Sequence, residues 1–261
     1  MITSTSNALI KRIRKLEQKK FRMREGCGFV EGLRGVLTAA ECAKHLIEKV
    51  IVAPELLAQS TGETRLRGLV PSEQIVEVSA GVFRSVSGRE NPVGVGAIVQ
   101  SPLTSIQAMT PTETNMLYII LDRVGDPGNL GTIIRTADAA GAAGVVLTGA
   151  GVDVMHPSAL KASLGTVFTV PISSASVDEL SQWKKAQNVT LIGSSAKADS
   201  HYQHVQPTGA VGLLLGNERL GLSEELSQLA DETVTIPMGG QASSLNLAVA
   251  AGILIFQFKQ E

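Results

Sequence analysis

The period of the apolar positions changes along the chain, and each change marks a change of architecture. After the polar cluster Thr3–Asn7, which can cap a helix, Leu9, Ile13 and Leu16 fall on one helical stripe. Short runs follow. Gly28–Glu31 and Lys49–Val52 read as strands around a helix over Val36–His45. Ile75–Val78 and Val93–Val99 read as further strands, and Gly81–Ser87 as a short helix. Residues 1–100 therefore form a small α/β unit, and Ser101–Asn115, rich in Ser, Thr, Pro and Gln, reads as a linker.

From residue 116 to 261 the alternation is cleaner. Strands are expected at Met116–Leu121, Gly144–Thr148, Val167–Pro171, Val189–Ser194, Val211–Leu215 and Thr233–Ile236. Helices are expected at Pro127–Ala140, Ser158–Leu164, Val177–Gln187, Ser223–Leu229 and Ser244–Phe258. Strands that are apolar throughout, alternating with helices, predict a mostly parallel sheet covered on both faces.

Three segments of this half carry chemistry. In the first, running from Asp122 to Gly141, Asp126 is a natural N-cap, Pro127 suits the first helical position and Gly141 suits the C-terminus. At about 100° per residue, Leu130, Ile133, Ala137 and Ala140 share the face turned to the sheet. Gly128, Gly131, Thr132, Ala139 and Ala142 then cluster around Arg135 on the other face. Each helical glycine costs about 1 kcal/mol against alanine, so these glycines call for a reason. An unhindered approach to Arg135 is one; close helix packing is the other.

In the second segment a buried strand, Leu213–Leu215, runs into the turn Gly216-Asn217-Glu218-Arg219-Leu220-Gly221, and Ser223 can cap the next helix. Ligands of parallel sheets sit at such carboxyl ends. The turn has neither the spacing of a dinucleotide fingerprint nor a Walker lysine. In the third segment a strand ends near Ile236-Pro237-Met238, and a helix is expected to open at Ser243 or Ser244 with Asn246 in its first turn.

Charge adds a second theme. The whole chain carries −1, but residues 1–24 hold eight basic side chains against Glu17 alone, a net +7 that leaves −8 elsewhere. Lys11, Arg12, Arg14, Lys15, Lys19 and Arg22 of this arm are the candidate contacts to the phosphates of a nucleic acid. Aromatic residues make up only 3%, which argues against a binding mode built on many stacking platforms. Cys27 and Cys42 are too few for a disulfide framework or a zinc site, and His45, His156, His201 and His204 are scattered, so no metal is expected. No leader and no membrane span is read, and a cytoplasmic location is expected.

In this order and spacing, Asn129–Arg135, Leu215–Gly221 and Ile236–Asn246 resemble the three signature motifs of the SpoU/TrmH-type RNA 2′-O-ribose methyltransferases. Lys161–Gly165, followed by Phe168 and Pro171, resembles a segment the family carries between its first two motifs. Phe29-Val-Glu-Gly32 and its surroundings look like the family's ribosomal-protein-like RNA-binding domain. The resemblance implies a deep trefoil knot in the C-terminal domain, a homodimer whose site draws on both subunits, and S-adenosylmethionine as methyl donor. It places Arg135 nearest the chemistry, holding the target phosphate and stabilising the developing alkoxide rather than acting as a base, since arginine stays protonated. Asn129, Glu218, Ser244 and Asn246 would order the site. Leu215, Gly216, Asn217, Gly221, Ile236, Met238 and Leu245 would hold the donor, with Gly216 and Gly221 letting the backbone approach. Two positions depart from the pattern: Ala248 where the family usually has Ser, and Lys161 where it usually has Arg. Large-subunit rRNA is the favoured target. A tRNA target, base methylation and a catalytically idle RNA-binding relative are the alternatives, while a nicotinamide dehydrogenase lacks its fingerprint.

Overall fold

A computed structural model describes residues 1–57, 61–112 and 115–259. Residues 113–114 of the expected linker, and the last two of the expected C-terminal domain, lie outside that range. The chain divides into two compact units: residues 1–102 with 153–169, and residues 103–152 with 170–261.

In the first unit, Asn7 caps α1 (Ala8–Lys15) by accepting from the Leu9 N–H at 2.9 Å. Ile10 joins Ile13 and Leu16 on the buried stripe, while Leu9 is only partly covered. α2 (Lys19–Glu25) ends at Gly26, whose φ of +63° closes the turn. β1 (Cys27–Glu31), α3 (Leu33–Cys42), β2 (Ile47–Val52), α4 (Thr61–Leu69), β3 (Ile75–Glu77), α5 (Ala80–Arg84) and β4 (Val95–Gln100) follow. The sheet order is β1-β4-β2-β3, with β4 antiparallel to both neighbours and β2 parallel to β3. Neither the break between α1 and α2 nor the helix α4 was legible as a change of period.

The second unit opens with β5 (Leu103–Thr104), which pairs with a later strand. A 3-10 turn at Ile106–Ala108 then leads to Met109. Trp183 Nε1 donates to the Met109 carbonyl at 2.6 Å, and its ring meets Tyr118 edge-on at 4.9 Å. Thus much of the expected linker is packed into the core of this unit. β6 (Leu117–Asp122), α6 (Pro127–Ala139) and β7 (Gly144–Thr148) come next. Asp126 caps α6 by accepting from the Asn129 N–H, and Gly141 follows its end at φ +71°.

α7 (Pro157–Ser163) belongs to the first unit. Its segment is seated there by small residues: a Cβ on Gly28 would stand 3.1 Å from Met155, and one on Gly165 2.9 Å from Thr38. The strand expected at Val167–Pro171 is instead a 3-10 turn, Thr166–Phe168, entered through left-handed Leu164 and Gly165. Val167 and Phe168 are buried because this turn packs on α3, and burial alone had mimicked a strand.

The second unit resumes with β8 (Ile172–Ala175), α8 (Val177–Gln187), β9 (Thr190–Ser194), β10 (Ser200–His201), β11 (Val211–Leu215), α9 (Glu224–Leu229), β12 (Glu232–Thr235) and α10 (Leu247–Phe258). Every described pairing in its eight-stranded sheet is parallel, in the order β10-β12-β9-β11-β6-β7-β8-β5. After β12 the chain returns across the sheet, so that α10 packs on α6, β6 and β11 and touches the turn Tyr202–His204. The face of α6 expected to be open is therefore partly covered: Gly131 and Ile134 are buried, and Gly252 of α10 faces Thr136.

Candidate active site

The three motif segments meet at the carboxyl ends of β6, β11 and β12. Asp122, 2% exposed at the end of β6, receives two hydrogen bonds from its neighbour Arg123 at 3.0 and 3.1 Å and one from the Ser223 N–H at 2.7 Å. Ser223 stands at the N-cap position of α9, but its side chain does not cap; its amide is held by Asp122 instead. Arg123 reaches this position with φ +50°, and Gly149 makes room, since a Cβ there would stand 2.6 Å from Arg123 Cγ. This pair was missed in the sequence, where an Asp-Arg dipeptide carries no signal.

Glu218 ties the first two segments together. Its carboxylate accepts from the backbone N–H groups of Gly125 and Asp126, both at 3.1 Å, and from Asn129 Nδ2 at 3.0 Å. Partial burial pushes this carboxyl up, but the hydrogen bonds from Asn129 and from the Glu218, Gly125 and Asp126 amides outweigh it. The group is held below the ordinary glutamate range. Asn129 Oδ1 in turn accepts from Asn246 Nδ2 at 3.0 Å, which brings in the third segment.

Asn246 is the N-cap of α10. Its Oδ1 accepts from the Ala248 and Val249 N–H groups at 2.9 and 3.3 Å. The helix thus opens at Leu247, three residues later than expected. The physical reason is that asparagine caps at least as well as serine and lies nearest the apolar run. Ser244 stays in the exposed loop before it.

The Gly216–Gly221 turn is closed by reciprocal backbone hydrogen bonds between Asn217 and Gly221, both 3.0 Å. Asn217 Oδ1 accepts from the Arg219 and Leu220 amides, and its Nδ2 donates to the Arg123 carbonyl at 2.8 Å. A Cβ on Gly216 would stand 2.2 Å from the Gly221 carbonyl carbon, so only glycine fits.

Beside this turn lies a cavity of about 510 Å³. Gly216, Asn217, Glu218, Gly221, Ile236, Met238, Ser244 and Leu245 all line it. Leu215 does not: its side chain is fully buried in β11 and offers the cavity no wall. The turn Ser194–Lys197 after β9 also lines it, and sequence reasoning missed this contribution. That β9 neighbours β11 is a fact of strand order, which periodicity does not reveal. Ile236, Met238 and Leu245 give apolar walls beside the polar backbone of the Gly216–Gly221 turn, a lining that fits a purine nucleoside.

Arg135 is exposed on α6 and makes no hydrogen bond or ion pair among the described residues. It lies about 9 Å along the helix axis from Asn129 and does not join the Glu218–Asn129–Asn246 chain. Among the described residues no three His, Cys, Asp or Glu side chains are grouped to hold a metal ion.

The basic arm is corrected in part. Arg22 is 3% exposed; its guanidinium donates to both Asp153 oxygens and to the Leu16 and Glu17 carbonyls. Arg12 is bracketed by Glu25 and Glu48, which hold its guanidinium protonated even more firmly than usual. Arg14 donates to the carbonyl and hydroxyl of Ser85. Arg12 and Arg22 are thus structural ion-pair partners, not free phosphate ligands. Lys11, Lys15 and Lys19 are exposed, with Lys15 also near the Phe21 ring.

Residues 116–256 match the model of the SpoU rRNA Methylase family, and residues 7–97 match that of the MRM3-like substrate binding domain. The 23S rRNA (guanosine(2553)-2′-O)-methyltransferase RlmP of Bacillus subtilis is 30% identical over 99% of this chain and 98% of its own. The 23S rRNA (uridine(2479)-2′-O)-methyltransferase of Streptomyces viridochromogenes is 32% identical over 93% of this chain and 85% of its own. An AdoMet-bound rRNA methyltransferase from Sinorhizobium meliloti superposes with a TM-score of 0.86 at 34% identity, over 98% of this chain and 96% of that one. The first family match spans more than half the chain and contains all three motif segments, so the chain belongs to the SpoU rRNA methylase family.

Proposed function

We propose that this protein transfers the methyl group of S-adenosylmethionine to a ribose 2′-hydroxyl in large-subunit rRNA. The observation that carries the reading is the hydrogen-bonded chain Glu218–Asn129–Asn246, which joins all three motif segments and reaches the cavity through Glu218. The names of the full-length relatives, both 23S rRNA 2′-O-methyltransferases, favour rRNA over tRNA and ribose over base.

When bound, S-adenosylmethionine supplies a methyl group activated by its sulfonium. Gly216, Asn217 and Gly221 would carry it on their backbone, between Ile236, Met238 and Leu245. The chain's own residues then do the rest. A ribose hydroxyl is a poor nucleophile at neutral pH, so it must be aligned and its developing charge met. Glu218, kept ionised, fixes the Asn129 amide; Asn246 fixes it from the other side; Ser244 borders the acceptor's approach. Arg135, which stays protonated, would grip the target phosphate and stabilise the alkoxide.

Because Arg135 stands outside the Glu218–Asn129–Asn246 chain of its own subunit, the reading includes a homodimer in which a second copy completes the site. Val249 and Phe256, about half exposed on α10, supply an apolar surface for it. Lys11, Lys15 and Lys19 would contact RNA phosphates. A cytoplasmic location goes with a ribosomal substrate. No described helix is long and apolar enough to cross a membrane.

The test is acceptor choice. Purified protein with methyl-labelled S-adenosylmethionine should label unmodified 23S rRNA and leave total tRNA unlabelled. Label in tRNA alone would overturn the rRNA assignment.

A further inference from the structure

Away from the motif segments, the N-terminal unit contains a cavity of about 160 Å³ that the proposed chemistry does not use. Its floor is apolar: Ile13, Leu16, Val86 and Leu160 line it, and the Phe29 ring, packed on Gly96, forms one side. Gly96 is needed there, since a Cβ would stand 2.3 Å from the ring.

The charged groups around this floor are unequal. Glu31 is occupied, accepting from the Ser87 hydroxyl at 2.5 Å and the Gly88 N–H at 3.0 Å. Arg89 is partly occupied: its Nη2 donates to the Glu31 carbonyl at 3.0 Å, and its Nε lies 3.9 Å from the Glu31 carboxylate. Glu17 and Lys161, by contrast, are exposed and their side chains have no hydrogen-bond or ion-pair partner among the described residues. Aromatic side, apolar floor, one free cation and one free carboxylate together match the parts of a nucleotide. A base stacks on an aromatic face, its amino or imino edge donates to a carboxylate, and its phosphate takes the cation.

We propose that this cavity receives one unpaired nucleotide of the RNA substrate. Its base lies against Phe29 and its phosphate on Lys161, with Arg89 in support. The proposal rests on the reading that the substrate is RNA. It also gives Lys161, which belongs to the methylase-family match while its segment is housed in the N-terminal unit, a role in binding RNA rather than in methyl transfer.

Two variants of the full-length protein test it. Gly88→Leu places a side chain at the cavity from a position where a Cβ meets nothing within 4 Å, and Lys161→Glu reverses an exposed charge. The wild-type protein is first shown to methylate 23S rRNA, so that failure of the function and failure of the pocket are distinguishable. Each variant should then raise the Kd for 23S rRNA about tenfold, the effect of losing one stacked or charge-held nucleotide. S-adenosylmethionine affinity and the rate at saturating RNA should stay unchanged. Ultraviolet crosslinking of wild type to 23S rRNA should attach a nucleotide to Phe29. Unchanged RNA affinity in both variants, or crosslinks that avoid Phe29, would overturn the proposal.

Discussion

Asn246 donates to Asn129 through Nδ2 while its Oδ1 caps α10, so one side chain both starts a helix and fixes a polar group 117 residues away. The two roles use different atoms and are separable. Asn246→Asp keeps the capping oxygen and loses the donor. Stability should stay near wild type while methyl transfer falls at least tenfold. Asn246→Ala should in addition cost about 1 kcal/mol of stability. Thermal melts and single-turnover rates measured on both variants decide this; equal activity loss with equal destabilisation would tie the effect to folding alone.

Gly216 predicts a cofactor phenotype. Its missing Cβ leaves room for the returning Gly221–Leu222 backbone, so Gly216→Ala must push the turn apart. Calorimetry should show S-adenosylmethionine affinity reduced by at least tenfold.

Glu218 sets an acid limit. Its folded carboxyl titrates below its unfolded value, so in that window the unfolded chain binds more protons and stability falls as pH falls. Its contribution is fully present above the unfolded value and is lost as pH drops through the folded one. Melting temperatures followed from about pH 7 down to about pH 3 should decline less steeply for Glu218→Gln than for wild type.

The basic arm divides into structure and contact. Arg22→Ala strands Asp153 and two carbonyls and should cost about 3 kcal/mol, as breaking a buried pair does. Lys11→Ala with Lys15→Ala should leave the melting temperature alone and reduce the salt slope of RNA binding by about 2. Parallel melts and RNA titrations at several salt concentrations read both effects.

How legible these features were depended on the range of the physics. α6 was readable almost to the residue because Asp126, Pro127 and Gly141 act locally. Ser244 was preferred to Asn246 as a cap because both are good capping residues and the deciding bonds are seen only in the fold. The +7 of the first 24 residues was plain. That Glu25, Glu48 and Asp153 take up Arg12 and Arg22 was not, since these acids are brought in by tertiary packing. Likewise, the three segments were recognisable one by one. Their meeting through Glu218, Asn129 and Asn246 depends on strand order, as does the place of Ser194–Lys197 in the cavity.

On the proposed function, the three motif segments form one ribose-methylating site, which Arg135 of a second copy completes. This is tested most directly by digesting 23S rRNA to nucleosides after incubation with methyl-labelled S-adenosylmethionine and either wild type or Arg135→Ala. Label should appear in a 2′-O-methyl nucleoside with wild type, and at least a hundredfold less with the variant, whose cofactor affinity stays intact. Label on a base, or near wild-type transfer by Arg135→Ala, would contradict it.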